Sequence, residues 1–92
     1  MAYSRTIIKN LFMITGSQIR AARALLDIMM KDLASASGVN ERTLRRYEAQ
    51  DGVPPDRGGN LAKVRLALEG MGVEFVTASK GSQGVILHKT DK

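Results

Sequence analysis

Leu33-Ala34-Ser35-Ala36-Ser37-Gly38-Val39-Asn40-Glu41-Arg42-Thr43-Leu44-Arg45-Arg46-Tyr47-Glu48 is the stretch that decides how this chain folds. Leu33 and Ala34 face inward on a first short helix. Gly38 can take the positive φ that ends a helix abruptly. Val39 plugs the corner, and Asn40 can accept a hydrogen bond from the backbone N–H groups that open the next helix. Leu44 and Tyr47, three apart, bury the inner face of that helix. Ala34 is small enough for the two helices to cross closely. The pattern predicts a helix-turn-helix, a unit whose second helix enters the DNA major groove.

Working outward, a first helix is predicted over residues 17–28, with Ser17 as its N-cap. Ile19, Ala22, Leu25, Leu26 and Met29 form its apolar stripe. The second helix is predicted over 30–37 and the third over 41–50. Residues 51–59 hold two prolines and three glycines and read as a loop. A fourth helix is expected over 60–71, with Leu61, Val64, Leu68 and Met71 facing the core and Gly72 as its stop. Residues 73–77 and 85–89 read as strands around a Gly/Ser-rich turn, an antiparallel hairpin with Val73, Phe75, Val85 and Leu87 on one apolar face. Within residues 1–12, Ile7, Ile8, Leu11 and Phe12 have helical spacing while Thr6-Ile7-Ile8 is a β-branched run, so helix and strand both stay open.

The central run resembles the phage-repressor-like (Cro/Xre-type) helix-turn-helix domains, in which Leu33-Ala34, Gly38-Val39, Thr43-Leu44 and the later Glu48 have counterparts at this spacing. Residues 16–26 are similar to the first helix of a compact bacterial subgroup, and residues 60–69 to its next helix. Gly72-Val73-Glu74-Phe75 and Gly84-Val85-Ile86-Leu87 are similar to its short closing strands. The resemblance covers roughly residues 13–88. It implies a mainly α, lambda-repressor-like bundle of four to five short helices with a small C-terminal β-hairpin. The division is then an N-terminal arm (1–12), a DNA-binding domain (13–72) and a hairpin with tail (73–92). Met13-Ile14-Thr15-Gly16 looks like a frequent family start, which makes the arm an extension or the product of a misassigned start. Two departures stand out. Met29 and Met30 occupy the places where a Ser or Thr and a Gln usually open the second helix, so a cap and a polar backbone contact are expected to be lost. The glycine that usually follows the Glu is delayed to Gly52.

Ninety-two residues make one domain. A core this small is marginal without good helix packing or a second subunit. With no cysteine, there is no disulfide framework or thiolate metal site, which fits a reducing cytoplasm. No apolar run approaches the ~18–20 residues of a membrane span. The first residues lack the long apolar region and cleavage site of a signal peptide. The net charge of +5 favours a polyanionic partner.

On the third helix, positions 41, 42, 45 and 46 share one face. Glu41, Arg42, Arg45 and Arg46, with Asn40 at the tip, are residue types suited to base reading. Arginine forks onto guanine O6 and N7, asparagine pairs with adenine, and glutamate accepts from cytosine N4. The resemblance puts Asn40, Glu41, Arg42 and Arg46 where the family reads bases. It puts Thr43 and Arg45 where the family more often touches the backbone. The bland alternative is a solvated charged face with a Glu41–Arg45 ion pair. Phosphate clamps should flank the helix. Lys31 and Arg57 are the first candidates, Arg20 and Lys63 weaker ones, and the N–H groups after Asn60 can hold a phosphate.

Gly81-Ser82-Gln83-Gly84 reads as a hairpin turn before it reads as an anion nest. His88, the single histidine, has no companion ligand. No carboxylate pair, nucleophile–base couple or Walker-type loop is present. An enzyme is not expected, nor a cofactor or metal. The expected function is sequence-specific binding of double-stranded DNA by a cytoplasmic transcriptional regulator, without membrane contact. It would act as a homodimer on two half-sites about one helical turn apart. The hairpin, with or without the arm carrying Ile7 and Ile8, is expected to form much of the dimer interface; the alternative is a hairpin that only caps the core of its own chain. The rival is a protein-interaction module, an antitoxin-like or polymerase-binding adaptor that takes its partner through the N-terminal arm.

Overall fold

Thr15, not Ser17, opens the first helix. Its hydroxyl accepts the Gln18 N–H at 3.0 Å, and Gln18 Oε1 accepts the Thr15 N–H at 3.0 Å, a reciprocal capping box. Helix α1 therefore covers Gly16–Leu26. It ends two residues earlier than expected because Asp27 takes the left-handed conformation, with φ 56°. The N–H groups of Asp27 and Ile28 then bond back to Ala24 and Arg23, the double closure of a Schellman motif built on an aspartate. The chain turns away at that point and leaves Met29 62% exposed, while Leu25, about 100° around α1 from Leu26, is 46% exposed; both were assigned above to the apolar stripe.

The computed structural model describes residues 14–56, 58–77 and 82–88. The expectations for residues 1–12 and for Arg57 lie outside them. Among the described residues the protein is mainly helical. Helix α2 (Met30–Ser37), α3 (Glu41–Glu48) and α4 (Asn60–Gly70) follow α1, and strands β1 (Val73–Thr77) and β2 (Gln83–Leu87) form one antiparallel pair. Among these residues no helix is long and apolar enough to cross a membrane.

Ile19, Leu33, Leu44, Leu61, Val64 and Leu68 are fully buried and meet at the centre, with Ile14, Ala22, Val39, Tyr47 and Val73 around them. Each large aliphatic side chain contributes roughly 1.5–3 kcal/mol by leaving water. Met71, expected among them, is only half-buried.

Val73 pairs with Leu87 and Phe75 with Val85. These four share one hairpin face, and that face packs on the helical core of its own chain. The apolar face expected to build a dimer interface therefore packs within the monomer, with Val73 buried and Phe75, Val85 and Leu87 half-buried. Strand β2 begins two residues earlier than predicted. A shift of two keeps every side chain on its expected face.

Gln18 joins hairpin to helix. Its side chain is buried, and Nε2 donates to the carbonyls of Val76 at 3.2 Å and Gly84 at 2.9 Å, while the Thr15 hydroxyl donates to Gln83 Oε1. Gln18→Ala is expected to cost about 2 kcal/mol in urea unfolding, since it strands two carbonyls and an N–H. Gln18→Glu should also destabilise, although glutamate completes a capping box equally well, because a carboxylate cannot donate to those carbonyls. Wild-type stability in the Glu variant would show that the two hairpin bonds contribute nothing.

Candidate nucleic-acid interface

Helix α3 owes its position to three devices. The first is the turn before it. Gly38, at φ 78°, donates its N–H to Ala34 and ends α2, Val39 is buried in the corner, and Asn40 Oδ1 accepts the Thr43 N–H at 2.8 Å. The N-cap role read from the sequence is thus the one Asn40 plays.

The second is a close approach at its far end. A Cβ on Gly16 would lie 2.0 Å from the carbonyl oxygen of Gln50 and 2.2 Å from that of Tyr47, so the start of α1 rests directly on the α3 backbone. The Gly16 N–H donates to Gly52 at 2.9 Å.

The third is a pair of arginines on α1. Arg23 forks onto Glu48, with Nε and Nη2 at 2.8 and 2.9 Å from its two carboxylate oxygens, and donates from Nη1 to Ile28 at 3.1 Å. Glu48's side chain is only 7% exposed. The hydrogen bond to Glu48 raises the Arg23 pKa against the opposing pull of burial. Arg20 donates to the carbonyls of Glu48 and Gln50 and to Asp51 at 2.7 Å. It supplies partners for the carbonyls at the end of α3, which stops at Glu48 rather than at residue 50. Arg20 holds the Asp51 carboxyl below the usual carboxylate range, first by hydrogen bonding and then by charge.

These devices correct two of the clamp candidates. Arg20 is engaged at the end of α3, with both terminal nitrogens bonded within the chain. The start of α4 is also occupied, because Asp56 Oδ1 accepts the Leu61 N–H at 3.2 Å and places a negative charge where a phosphate was expected. The lost cap on α2 is partly replaced: Asp32 reaches back to the Met29 N–H at 2.9 Å.

What α3 presents outward follows its periodicity. Leu44 and Tyr47 are buried, and burial first, then the Asp56 charge, pushes the Tyr47 phenol up. On the opposite side Asn40, Arg42, Arg45 and Arg46 are exposed, and Glu41 and Thr43 are half-buried. Glu41 and Arg45 form the expected ion pair at 3.2 Å. Among the described residues, neither Arg42 nor Arg46 has an ion-pair partner. Lys31, exposed in the first turn of α2, and Lys63, exposed on α4, have none either.

Sequence reasoning missed Arg23, Gly16 and Gln18. The Thr15-x-x-Gln18 spacing was a usable signal for the last. No local signal ties Arg23 to a residue 25 positions away. No protein-family model matches this chain, and no curated protein matches it in sequence.

Proposed function

We propose that this protein is a small sequence-specific DNA-binding regulator of the phage-repressor-like helix-turn-helix class, with α3 as the helix that enters the major groove. The observation that carries this reading is the exposure of Arg42 and Arg46 without ion-pair partners among the described residues, directly opposite the buried Leu44 and Tyr47. Three fixings behind α3 support it, since a reading helix must be held rigidly to discriminate bases. Lys31 adds an exposed cation in the first turn of α2, beside the reading helix in sequence order. The charge of +5 acts in the same direction at long range.

Binding as a homodimer on two related half-sites supplies the contacts that one short helix lacks. With the inner hairpin face occupied, a second copy meets the outer face, where Ile86 is exposed. Repression by covering a promoter is the simplest consequence.

Arg42→Ala and Arg46→Ala should each cost roughly 1–3 kcal/mol on the preferred site and much less on random duplex. Equal losses on both would mean that these residues only neutralise phosphates. No loss on either would remove α3 as the binding face.

The exposed Leu25 and Met29 favour one second reading, a protein-interaction module around the α1–α2 corner. Absence of duplex binding, with a partner lost in Met29→Ser, would select it.

A further inference from the structure

The polar residues on the outer side of α3 are not equivalent. Asn40 Oδ1 already holds the Thr43 N–H. A two-bond pairing with adenine uses that oxygen as well as the amide nitrogen, so its two lone pairs would have to serve the cap and the base at once, each with a fixed partner. Glu41 and Arg45 are joined at 3.2 Å. In a groove lined by phosphates, a bare Glu41 carboxylate is repelled, which disfavours opening the pair. Arg42 and Arg46 remain, one turn apart, each with a complete guanidinium fork and no ion-pair partner among the described residues.

We infer that Arg42 and Arg46 alone set the base preference, each taking the O6/N7 edge of a guanine, and that the preferred half-site carries two guanines within three consecutive base pairs. Four residues of α-helix advance about 6 Å. Base pairs are stacked about 3.4 Å apart. Two parallel guanidinium forks at that separation reach guanines one or two steps apart. The Glu41–Arg45 pair acts as a neutral spacer between them, and Asn40 acts as a positioning residue. This inference rests on the reading of α3 as the DNA-facing helix.

Selection from a pool of random duplexes by the full chain tests it, followed by selection with Arg42→Lys, Arg46→Lys and Arg45→Lys. Lysine keeps the charge and loses the fork. The wild type should enrich two guanines in that window, with a loss of about tenfold or more for adenine at either. Arg42→Lys should relax one position and Arg46→Lys the other, with affinity for random duplex kept within about twofold. Arg45→Lys should leave both positions unchanged. Enrichment of a site without the two guanines, or a base position that relaxes in Arg45→Lys, overturns the inference and leaves DNA binding intact. No retention of any duplex overturns the reading of α3 itself, and this inference with it.

Discussion

Gly16→Ala is expected to destabilise the protein by about 3 kcal/mol or more, a fall in Tm of about 12 °C or more for a domain of this size. The added methyl would lie 2.0 and 2.2 Å from two carbonyl oxygens of the α3 region. Both are backbone atoms, so no rotamer change relieves the clash, and α1 must move away from α3. Doing so breaks the Gly16–Gly52 hydrogen bond and pulls the Arg20 and Arg23 guanidinia from their acceptors. Gly52→Ala is the control, because a Cβ there meets open space. Thermal unfolding of both variants by circular dichroism checks the pair. Equal melting temperatures would show that α1 and α3 do not approach as described.

The second large effect concerns Arg23 and Glu48. Arg23→Met keeps the aliphatic stem but leaves a carboxylate that is 7% exposed with no cation, and should cost about 3 kcal/mol. Glu48→Gln keeps the shape and one acceptor oxygen but sets its amide N–H2 against one guanidinium N–H, and should cost about 2 kcal/mol. The exposed Glu41–Arg45 pair is the contrast. Glu41→Gln should change stability by no more than about 0.5 kcal/mol. A double-mutant cycle read by urea denaturation gives the Arg23–Glu48 coupling directly. A coupling near zero would mean that the Arg23–Glu48 pair does not hold the end of α3 and that the Arg20 bonds and the apolar contacts do.

The run from Leu33 to Glu48 was the legible part of the sequence because its signals are local. A glycine that takes φ 78°, an asparagine cap three residues before its N–H donor and an apolar spacing of three sit within one short window. The fourth helix and the inner face of the hairpin followed from periodicity for the same reason. The start of α1 did not. Gly16 is a poor helix former, which made Ser17 look like the boundary. Gly16 is there because α3 lies against it, a tertiary fact with no local trace. Leu25 was assigned to the stripe although it sits about 100° from Leu26 around the helix, and Asp27 carried no glycine-like stop signal.

The candidate site divides in the same way. Its outward face, Arg42, Arg45 and Arg46 opposite Leu44 and Tyr47, was readable from spacing. Which side chains were already engaged was not. Arg20 was a weaker clamp candidate than Lys31, but nothing local showed that it meets the carbonyls of Glu48 and Gln50 at and just beyond the end of α3. Asp56 likewise takes the Leu61 N–H from five residues away, across the loop.

Engagement of duplex DNA by the exposed arginines of α3, as proposed, is read from the affinity of the full chain for a random-sequence duplex across a salt series, by fluorescence anisotropy, beside the Arg42→Ala/Arg46→Ala double variant. Binding is expected at low salt, with log K falling linearly against log salt at a slope of about −3 or steeper. The double variant should show weaker binding and a shallower slope. A chain that binds no duplex at low salt, or a double variant with an unchanged curve, would contradict that engagement.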